Sequence, residues 1–179
     1  MTLGDSKTAS GQWQPTLLNT LNSVSGEKWE WHNGGVAGAT VASARASIAT
    51  ILAAIPYTSD PHVEVLTQWG ANDVATNPVQ VTWEADYLAI IDAVSAKWPQ
   101  AKVRISLPWR RGFDAQCDTL ATWIGNVVAA RPGVAFVADD ERDWLENGDN
   151  GATRTSDGVH PNAAGLVVES AVKLTAMGY

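Results

Sequence analysis

An aspartate and a histidine three residues apart near the end of the chain could form an acid–base pair. They stand in the segment Asp157-Gly158-Val159-His160-Pro161, and a tight loop with this spacing lets both side chains face the same way. The carboxylate of Asp157 could then hold the proton on Nδ1 of His160 and leave Nε2 free to accept a proton from a nucleophile. The alternative is a solvated histidine beside the start of a helix.

A serine in the first turn of the chain is the candidate nucleophile for that base. Ser6 lies in Gly4-Asp5-Ser6, directly after the short apolar start of the sequence. Gly4 permits a tight turn that would place the Ser6 hydroxyl above the end of a strand. Because the tripeptide alone equally fits an ordinary loop or a helix cap, its catalytic interpretation depends on the other segments.

Two further segments could supply hydrogen-bond donors to an oxyanion. The amide of Asn72, in Trp69-Gly70-Ala71-Asn72-Asp73, offers N–H groups of the kind that stabilise a tetrahedral intermediate. The glycines of residues 33–40, Asn-Gly-Gly-Val-Ala-Gly-Ala-Thr, would let backbone N–H groups approach a bound anion closely. Ester hydrolysis needs such donors together with a nucleophile and an oriented base. Considered without the other segments, the amide of Asn72 would merely cap a turn, and the glycines of 33–40 would form a flexible connection.

The sequence lacks the patterns of several other sites. No Gly-x-Ser-x-Gly nucleophile elbow occurs, which excludes the α/β-hydrolase type of serine enzyme. The glycine-rich segment does not have the Gly-x-Gly-x-x-Gly spacing of a dinucleotide site. His32, His62 and His160 fall in separate segments without the spacing of metal ligands. We therefore predict neither a cofactor nor a metal.

A scaffold of alternating strands and helices must bring these segments together. Short runs rich in β-branched residues alternate with segments of helical periodicity, a pattern typical of βα units. After a short first strand at 1–3, the predicted strands are 28–32, 63–68, 102–107 and 134–138, and the predicted helices are 13–24, 40–55, 82–98, 114–130 and 162–177. Right-handed crossovers then give one domain over residues 1–179, a doubly wound α/β/α sandwich with a five-stranded parallel sheet in the order 2-1-3-4-5. Ligands of such sheets bind beyond the carboxyl ends of the strands, where the segments described above are predicted to lie.

In this order, the four segments resemble the sequence blocks of the SGNH hydrolase superfamily, also called the GDSL family. The resemblance covers nearly the whole chain and implies a flavodoxin-like fold and a Ser-His-Asp hydrolase. It implies that Ser6 is the nucleophile, and that His160 and Asp157 are its base and acid. It further implies an oxyanion hole made of the backbone N–H groups of Ser6 and Gly38 and the side chain of Asn72.

Two features differ from the usual pattern of that family. Lys7 follows the serine where the family usually has Leu or Ile. We expect Lys7 to be a solvated surface residue, and the alternatives are that it caps a carbonyl or reaches an acidic substrate. The strand before the serine is also shorter than the about five residues of an ordinary strand, which suggests further residues upstream.

Composition excludes several classes of partner. The net charge of -7, with only 12 Lys and Arg, argues against a nucleic-acid surface, because phosphate binding needs clustered positive charge. No stretch reaches the roughly 18 apolar residues of a membrane span, and the first residues lack the pattern of a secretory signal. The single cysteine, Cys117, excludes an intrachain disulfide and is expected to be structural. The acidic segment 139–156 does not match a calcium loop and is predicted to be a polar surface loop.

Three residues beside the candidate site could contact a substrate. Trp69 is the first residue of the Asn72 segment, and Trp109 and Arg110 follow the fourth predicted strand. Flat aromatic faces suit sugar rings or apolar acyl groups, although both tryptophans are equally expected to pack in the core or at its rim. Arg110 could bind a carboxylate or phosphate, or pair with one of the surplus acids.

These observations favour hydrolysis of a short-chain ester, such as an O-acetyl group on a carbohydrate, through an acyl-enzyme on Ser6. A lipid ester or a thioester would use the same chemistry. The hypothesis from another class is a non-catalytic carbohydrate-binding or accessory domain on the same scaffold. The joint presence of Ser6, Asn72, Asp157 and His160 disfavours it.

Overall fold

Five parallel strands form one sheet in the order β2-β1-β3-β4-β5 in the computed structural model, which describes residues 1–179. The strands are β1 (Thr2–Gly4), β2 (Asn33–Gly35), β3 (Glu64–Gln68), β4 (Lys102–Leu107) and β5 (Ala135–Asp140). The helices are α1 (Ser6–Ala9), α2 (Gln14–Val24), α3 (Val41–Ala53), α4 (Gln80–Lys97), α5 (Asp114–Ala129) and α6 (Ala163–Ala176), with a 3-10 turn at Asp73–Ala75 and a π-helical turn at Arg142–Glu146. The predicted fold class and strand order are confirmed. None of the helices combines the length and the apolar character needed to cross a bilayer.

The two faces of the sheet carry separate hydrophobic cores. In β3, Val65 joins the larger core, which α3, α4 and α5 cover, whereas its neighbour Leu66 packs with α2 on the other face. This division follows from the strand geometry, because successive side chains point to opposite faces. Partly buried residues of α6, Leu166 and Leu174 among them, pack against the smaller core.

The five longer helices begin and end within two residues of their predicted bounds. Two of them have side-chain caps that the sequence places before an apolar run. Thr40 and Ser43 form a reciprocal capping box at the start of α3. The side chain of Asn162 accepts hydrogen bonds from the N–H groups of Ala164 and Gly165 at the start of α6.

The prediction of the second strand at 28–32 is wrong, because the strand is β2, the following three residues. The alternating Trp and Glu of 28–32 favour an extended strand by propensity. The position of the strand depends instead on its hydrogen bonds to β1, which has only three residues. The ladder between the two strands starts where the N–H of Thr2 donates to the carbonyl of His32. Residues 28–31 therefore have no strand beside them.

Close approach of the chain explains why β2 consists of residues with low strand propensity. A Cβ atom at Gly35 would lie 2.4 Å from the backbone nitrogen of Ala9 in α1, and one at Gly34 would lie 2.6 Å from a methyl group of Leu3. Only glycine permits such contacts. The sequence pattern that predicts a flexible turn is therefore the pattern that lets α1 pack against the sheet.

The prediction that 139–156 is a polar surface loop is also wrong for its first half. β5 extends to Asp140, and the π-helical turn after it buries Trp144 and Leu145. Asp139 and Glu141 are buried as well, and each accepts a hydrogen bond from a buried lysine. Carboxylates are rarely buried unless they are paired, and these partners lie far away in the sequence.

Candidate active site

Ser6, His160 and Asp157 lie in a hydrogen-bonded series beyond the carboxyl end of β1. The Oγ atom of Ser6 is 2.8 Å from Nε2 of His160, and Nδ1 of the same ring is 2.6 Å from Oδ2 of Asp157. Ser6 opens α1 directly after β1, and the side chain of Asp5 accepts a hydrogen bond from the backbone N–H of Lys7 in that turn. The imidazole is therefore placed to accept the hydroxyl proton of Ser6.

Backbone hydrogen bonds close the loop that carries the acid and the base. Thr155 and Pro161 form an isolated antiparallel bridge, and the N–H of Ser156 donates to the carbonyl of His160. Within the loop, Oδ1 of Asp157 accepts the N–H groups of Val159 at 2.9 Å and His160 at 2.8 Å. One carboxylate thus fixes both the backbone and the ring of His160.

The carboxyl group of Asp157 is ionised over the neutral and mildly acidic range. Partial burial acts to raise its pKa, but hydrogen bonds from the backbone and ring of His160 and from the N–H of Val159 outweigh it and lower the pKa to about 2. An anion facing Nδ1 favours the tautomer that leaves Nε2 free. This is the tautomer in which Nε2 faces Ser6 without a proton.

Three donors suited to an oxyanion come from segments joined to the Ser6 turn. The backbone N–H groups of Ser6 and Gly38 donate to no acceptor within the chain. Gly38 has a positive φ of 74°, which a side chain would strain. The side chain of Asn72 donates one of its two N–H groups to the carbonyl of Ala39 at 3.1 Å. This bond ties the amide to the Gly38 turn and leaves the second N–H for a ligand.

Asp73 is a structural residue of the site that was not predicted from the sequence. Its buried carboxylate accepts the backbone N–H of Val41 at 3.1 Å and the indole N–H of Trp83 at 2.9 Å, and burial raises its pKa. The first bond fixes the start of α3, which follows the Gly38 turn, against the Asn72 segment. The only available signal was its position directly after Asn72.

The two tryptophans considered for substrate contact are part of the core. Trp69 is 2% exposed and packs edge-on against Tyr87, with ring centroids 5.8 Å apart. Trp109 is 0% exposed. Their ring faces are covered by protein, so both tryptophans pack in the interior and leave no face for a ligand. Arg110 is half-buried and donates a hydrogen bond to the carbonyl of Ala71 at 3.0 Å. This bond helps to fix the position of the Asn72 segment.

Lys7 is not the solvated surface residue that the sequence predicts. It is 2% exposed, and its ammonium group lies 2.5 Å from Oε2 of Glu141. Burial acts to lower the pKa of Lys7, but the charges of Glu141 and Asp5 outweigh it and raise the pKa. The distance in sequence between the two partners, 134 residues, explains why the sequence alone gave no sign of the pair.

Glu169, on α6, is a second buried carboxyl group behind the site. Its Oε1 accepts a hydrogen bond from Gln68 at 2.8 Å, and burial raises its pKa to about 8. Between the unfolded value near 4.5 and about 8, the folded chain keeps a proton that the unfolded chain releases. Stability therefore falls as pH rises through this window.

We expect Glu169→Gln to remove this dependence on pH. The Glu169 carboxyl should lower the free energy of unfolding of the wild type between pH 5 and 8 by at most about 4 kcal/mol, since each pH unit within this window changes it by about 1.4 kcal/mol. Denaturant titrations at several pH values measure this slope. The matched control is Glu30→Gln at an exposed site, which should keep the wild-type slope. Equal slopes for wild type and Glu169→Gln would contradict the assignment.

A cavity of about 790 Å³ lies away from these residues. It is at the opposite edge of the sheet, near the amino ends of β1 and β3, between segments 27–32 and 55–64. The acid and base are instead open to solvent, with the side chain of His160 42% exposed and that of Asp157 53% exposed. A ligand would thus reach these side chains from an open surface.

The fold has many relatives among solved structures. TesA superposes with a TM-score of 0.76 at 19% identity, over 99% of this chain and 96% of TesA. A variant of an acetyl-xylooligosaccharide esterase from Geobacillus gives 0.76 at 16% identity, over 99% and 93% of the two chains. A carbohydrate esterase family 3 protein from Talaromyces cellulolyticus gives 0.73 at 20% identity, over 98% and 93%. At these identities the likeness shows a shared fold.

The family assignment rests on the sequence and not on the structural comparisons. No curated protein sequence matches the chain. The profile of the GDSL-like lipase/acylhydrolase family, in contrast, matches residues 2–166, a range that contains β1 and the loop of Asp157 and His160. The resemblance noted from the four sequence blocks is thus confirmed, and the chain belongs to the GDSL-like lipase/acylhydrolase family.

Proposed function

We propose that this chain is a serine esterase, formed by one catalytic domain, that hydrolyses a short-chain carboxylic ester through an acyl-enzyme on Ser6. The observation that carries the proposal is the series Ser6 Oγ, His160 Nε2 and Nδ1, and Asp157 Oδ2, joined at 2.8 and 2.6 Å. This is the arrangement by which a serine hydroxyl is activated for acyl transfer. The family match supports a hydrolase of this class.

In the proposed reaction His160 moves one proton in each direction. Nε2 takes the hydroxyl proton as Ser6 Oγ attacks the ester carbonyl, and it then returns the proton to the leaving alcohol as the acyl–oxygen bond breaks. Water repeats the sequence on the acyl-enzyme, releasing the carboxylic acid and restoring Ser6. Asp157 stays ionised throughout and stabilises the imidazolium ion.

The N–H groups of Ser6, Gly38 and Asn72 would stabilise the oxyanion of each tetrahedral intermediate. We expect Asn72→Ala to lower kcat by about 10²–10³-fold, with a much smaller change in KM, because this donor acts mainly on the transition state. Hydrolysis of p-nitrophenyl acetate measures both constants. Asn19→Ala, on an exposed position of α2, is the control. A loss of kcat below about threefold would remove the amide from the oxyanion hole.

The openness of the site supports a small acyl group on a large alcohol. The side chains of Asp157 and His160 lie at an exposed surface, and Ser6 does not line the cavity of about 790 Å³, whose lining is half hydrophobic. Two of the structural relatives are a carbohydrate esterase and an acetyl-xylooligosaccharide esterase. An O-acetyl group on a saccharide is therefore the substrate class that we propose.

A panel of esters tests this function. The purified chain is assayed with p-nitrophenyl acetate, p-nitrophenyl octanoate, acetyl-coenzyme A and acetylated xylo-oligosaccharides. We expect kcat/KM to be higher for the acetyl ester than for the octanoyl ester, and acetate to be released from the saccharide. Preference for the octanoyl ester or the thioester would overturn the substrate class. A chain that hydrolyses none of these compounds would overturn the esterase proposal and favour a non-catalytic role.

A further inference from the structure

The residue directly after the candidate nucleophile carries a buried charge. Lys7 is 2% exposed, and its side chain runs into the protein interior beneath the Ser6 turn. The side chains of both Lys7 and Glu141 are 1% exposed. An apolar residue of similar volume would fill this space without the free-energy cost of removing an ammonium group from water. Packing alone therefore does not explain a lysine here.

Glu141 joins three segments that border the candidate site. Its Oε2 accepts hydrogen bonds from the ammonium group of Lys7 and, at 2.9 Å, from the backbone N–H of Trp109. Its Oε1 accepts the side-chain N–H of Gln68 at 3.0 Å. One carboxylate directly after β5 is thus bonded to α1, which follows β1, to the last residue of β3 and to the segment that follows β4.

Two of those segments carry groups that the proposed chemistry uses. Lys7 is bonded covalently to Ser6, and its own backbone N–H is fixed by Asp5 at 3.0 Å. Gln68 ends β3, four residues before Asn72, and its Oε1 accepts the hydroxyl of Thr8 in α1 at 3.0 Å. The Ser6 turn and the Asn72 segment are therefore connected through the Lys7–Glu141–Gln68 series as well as directly.

We propose that the Lys7–Glu141 pair is a positioning device that fixes the Ser6 turn relative to the Asn72 segment, so that the nucleophile and the oxyanion donors keep one geometry. The proposal rests on the proposed function of Ser6. Buried ion pairs contribute little net stability compared with apolar residues of similar volume. Their charge-assisted hydrogen bonds are directional, however, which is what a catalytic arrangement requires of the residues that support it.

Two variants separate positioning from stability. Lys7→Met leaves Glu141 buried without its partner, and we expect both the melting temperature and kcat to fall. The double variant Lys7→Met/Glu141→Met removes both charges, and its melting temperature should rise above that of Lys7→Met, even though the buried N–H of Trp109 loses its acceptor. Its kcat for p-nitrophenyl acetate should nevertheless stay about 10–100-fold below wild type, with KM changed much less, because a small displacement of the nucleophile lowers the rate of the chemical step.

A second buried ion pair provides the matched control. Lys173 and Asp139 lie 2.7 Å apart with side chains 1% and 2% exposed, and they connect α6 to β5 rather than to the Ser6 turn. Lys173→Met/Asp139→Leu removes the same kind of interaction from the same protein interior. We expect its kcat to remain within about threefold of wild type, since no part of the proposed chemistry depends on this pair.

The outcomes distinguish this proposal from the function on which it rests. If Lys7→Met/Glu141→Met regains kcat together with its melting temperature, or if the control pair loses kcat equally, the Lys7–Glu141 pair is ordinary packing and the positioning proposal fails. If the wild type hydrolyses no ester, the proposed function fails, and this proposal with it.

Discussion

Replacing Ser6 by alanine is expected to lower kcat for p-nitrophenyl acetate by about 10⁴-fold or more, because no other group can form the acyl-enzyme. The Oγ atom that the substitution removes contacts Nε2 of His160 at 2.8 Å. Ser6 is partly exposed at the start of α1, so its loss should leave the melting temperature nearly unchanged. Initial rates and thermal unfolding of the same preparations test both statements.

Ser23→Ala is the matched control for this result. Ser23 lies on an exposed position of α2, and the same chemical change there should leave kcat and stability at wild-type values. A residual kcat above about 10% for Ser6→Ala, in a folded sample, would exclude Ser6 as the nucleophile, since triad knockouts leave far less activity.

Replacing Asp157 by asparagine is expected to lower kcat by about 10⁴-fold without unfolding the loop. Oδ1 of Asp157 accepts two backbone N–H groups, so the asparagine oxygen should keep that position and its NH₂ group should face Nδ1 of His160. Nδ1 would then have to accept a hydrogen bond, which places the ring proton on Nε2. A protonated Nε2 cannot take the proton of Ser6.

The control for this substitution comes from the same connection between β5 and α6. Asp143 is exposed in the π-helical turn. Asp143→Asn makes the same chemical change as Asp157→Asn, the replacement of one carboxylate by an amide. Its kcat should stay at the wild-type value. If Asp157→Asn kept more than about a tenth of wild-type kcat, the tautomer argument would be wrong and Asp157 would not be the orienting acid.

The sequence predicts the parts of the fold that periodicity and propensity determine locally. β4 occurs at its predicted residues, and β3 begins one residue late, because both are short runs rich in β-branched residues, alternating with polar residues in β4. β2 could not be predicted in this way. Its glycines are required by the contact of Gly35 with α1, which is a property of the packed structure and not of the segment itself.

The same distinction between local pattern and packed structure applies to the candidate site. Ser6, Asp157 and His160 were identified from residue type and position at strand ends, and the structure brings them into contact. The supporting residues were missed or misinterpreted, because a lone Lys7 or Glu141 is normally a surface residue. Only the folded chain shows that these two charges meet in the interior.

Covalent trapping of the nucleophile tests the central claim most directly. Diethyl p-nitrophenyl phosphate reacts with an activated serine, releases p-nitrophenol and leaves a diethylphosphoryl group on Oγ. We predict that the wild type takes up a single group per chain, that peptide mass spectrometry locates it on Ser6, and that Ser6→Ala is not labelled. An active wild type that is labelled at another residue, or a Ser6→Ala variant labelled equally fast, would contradict the account.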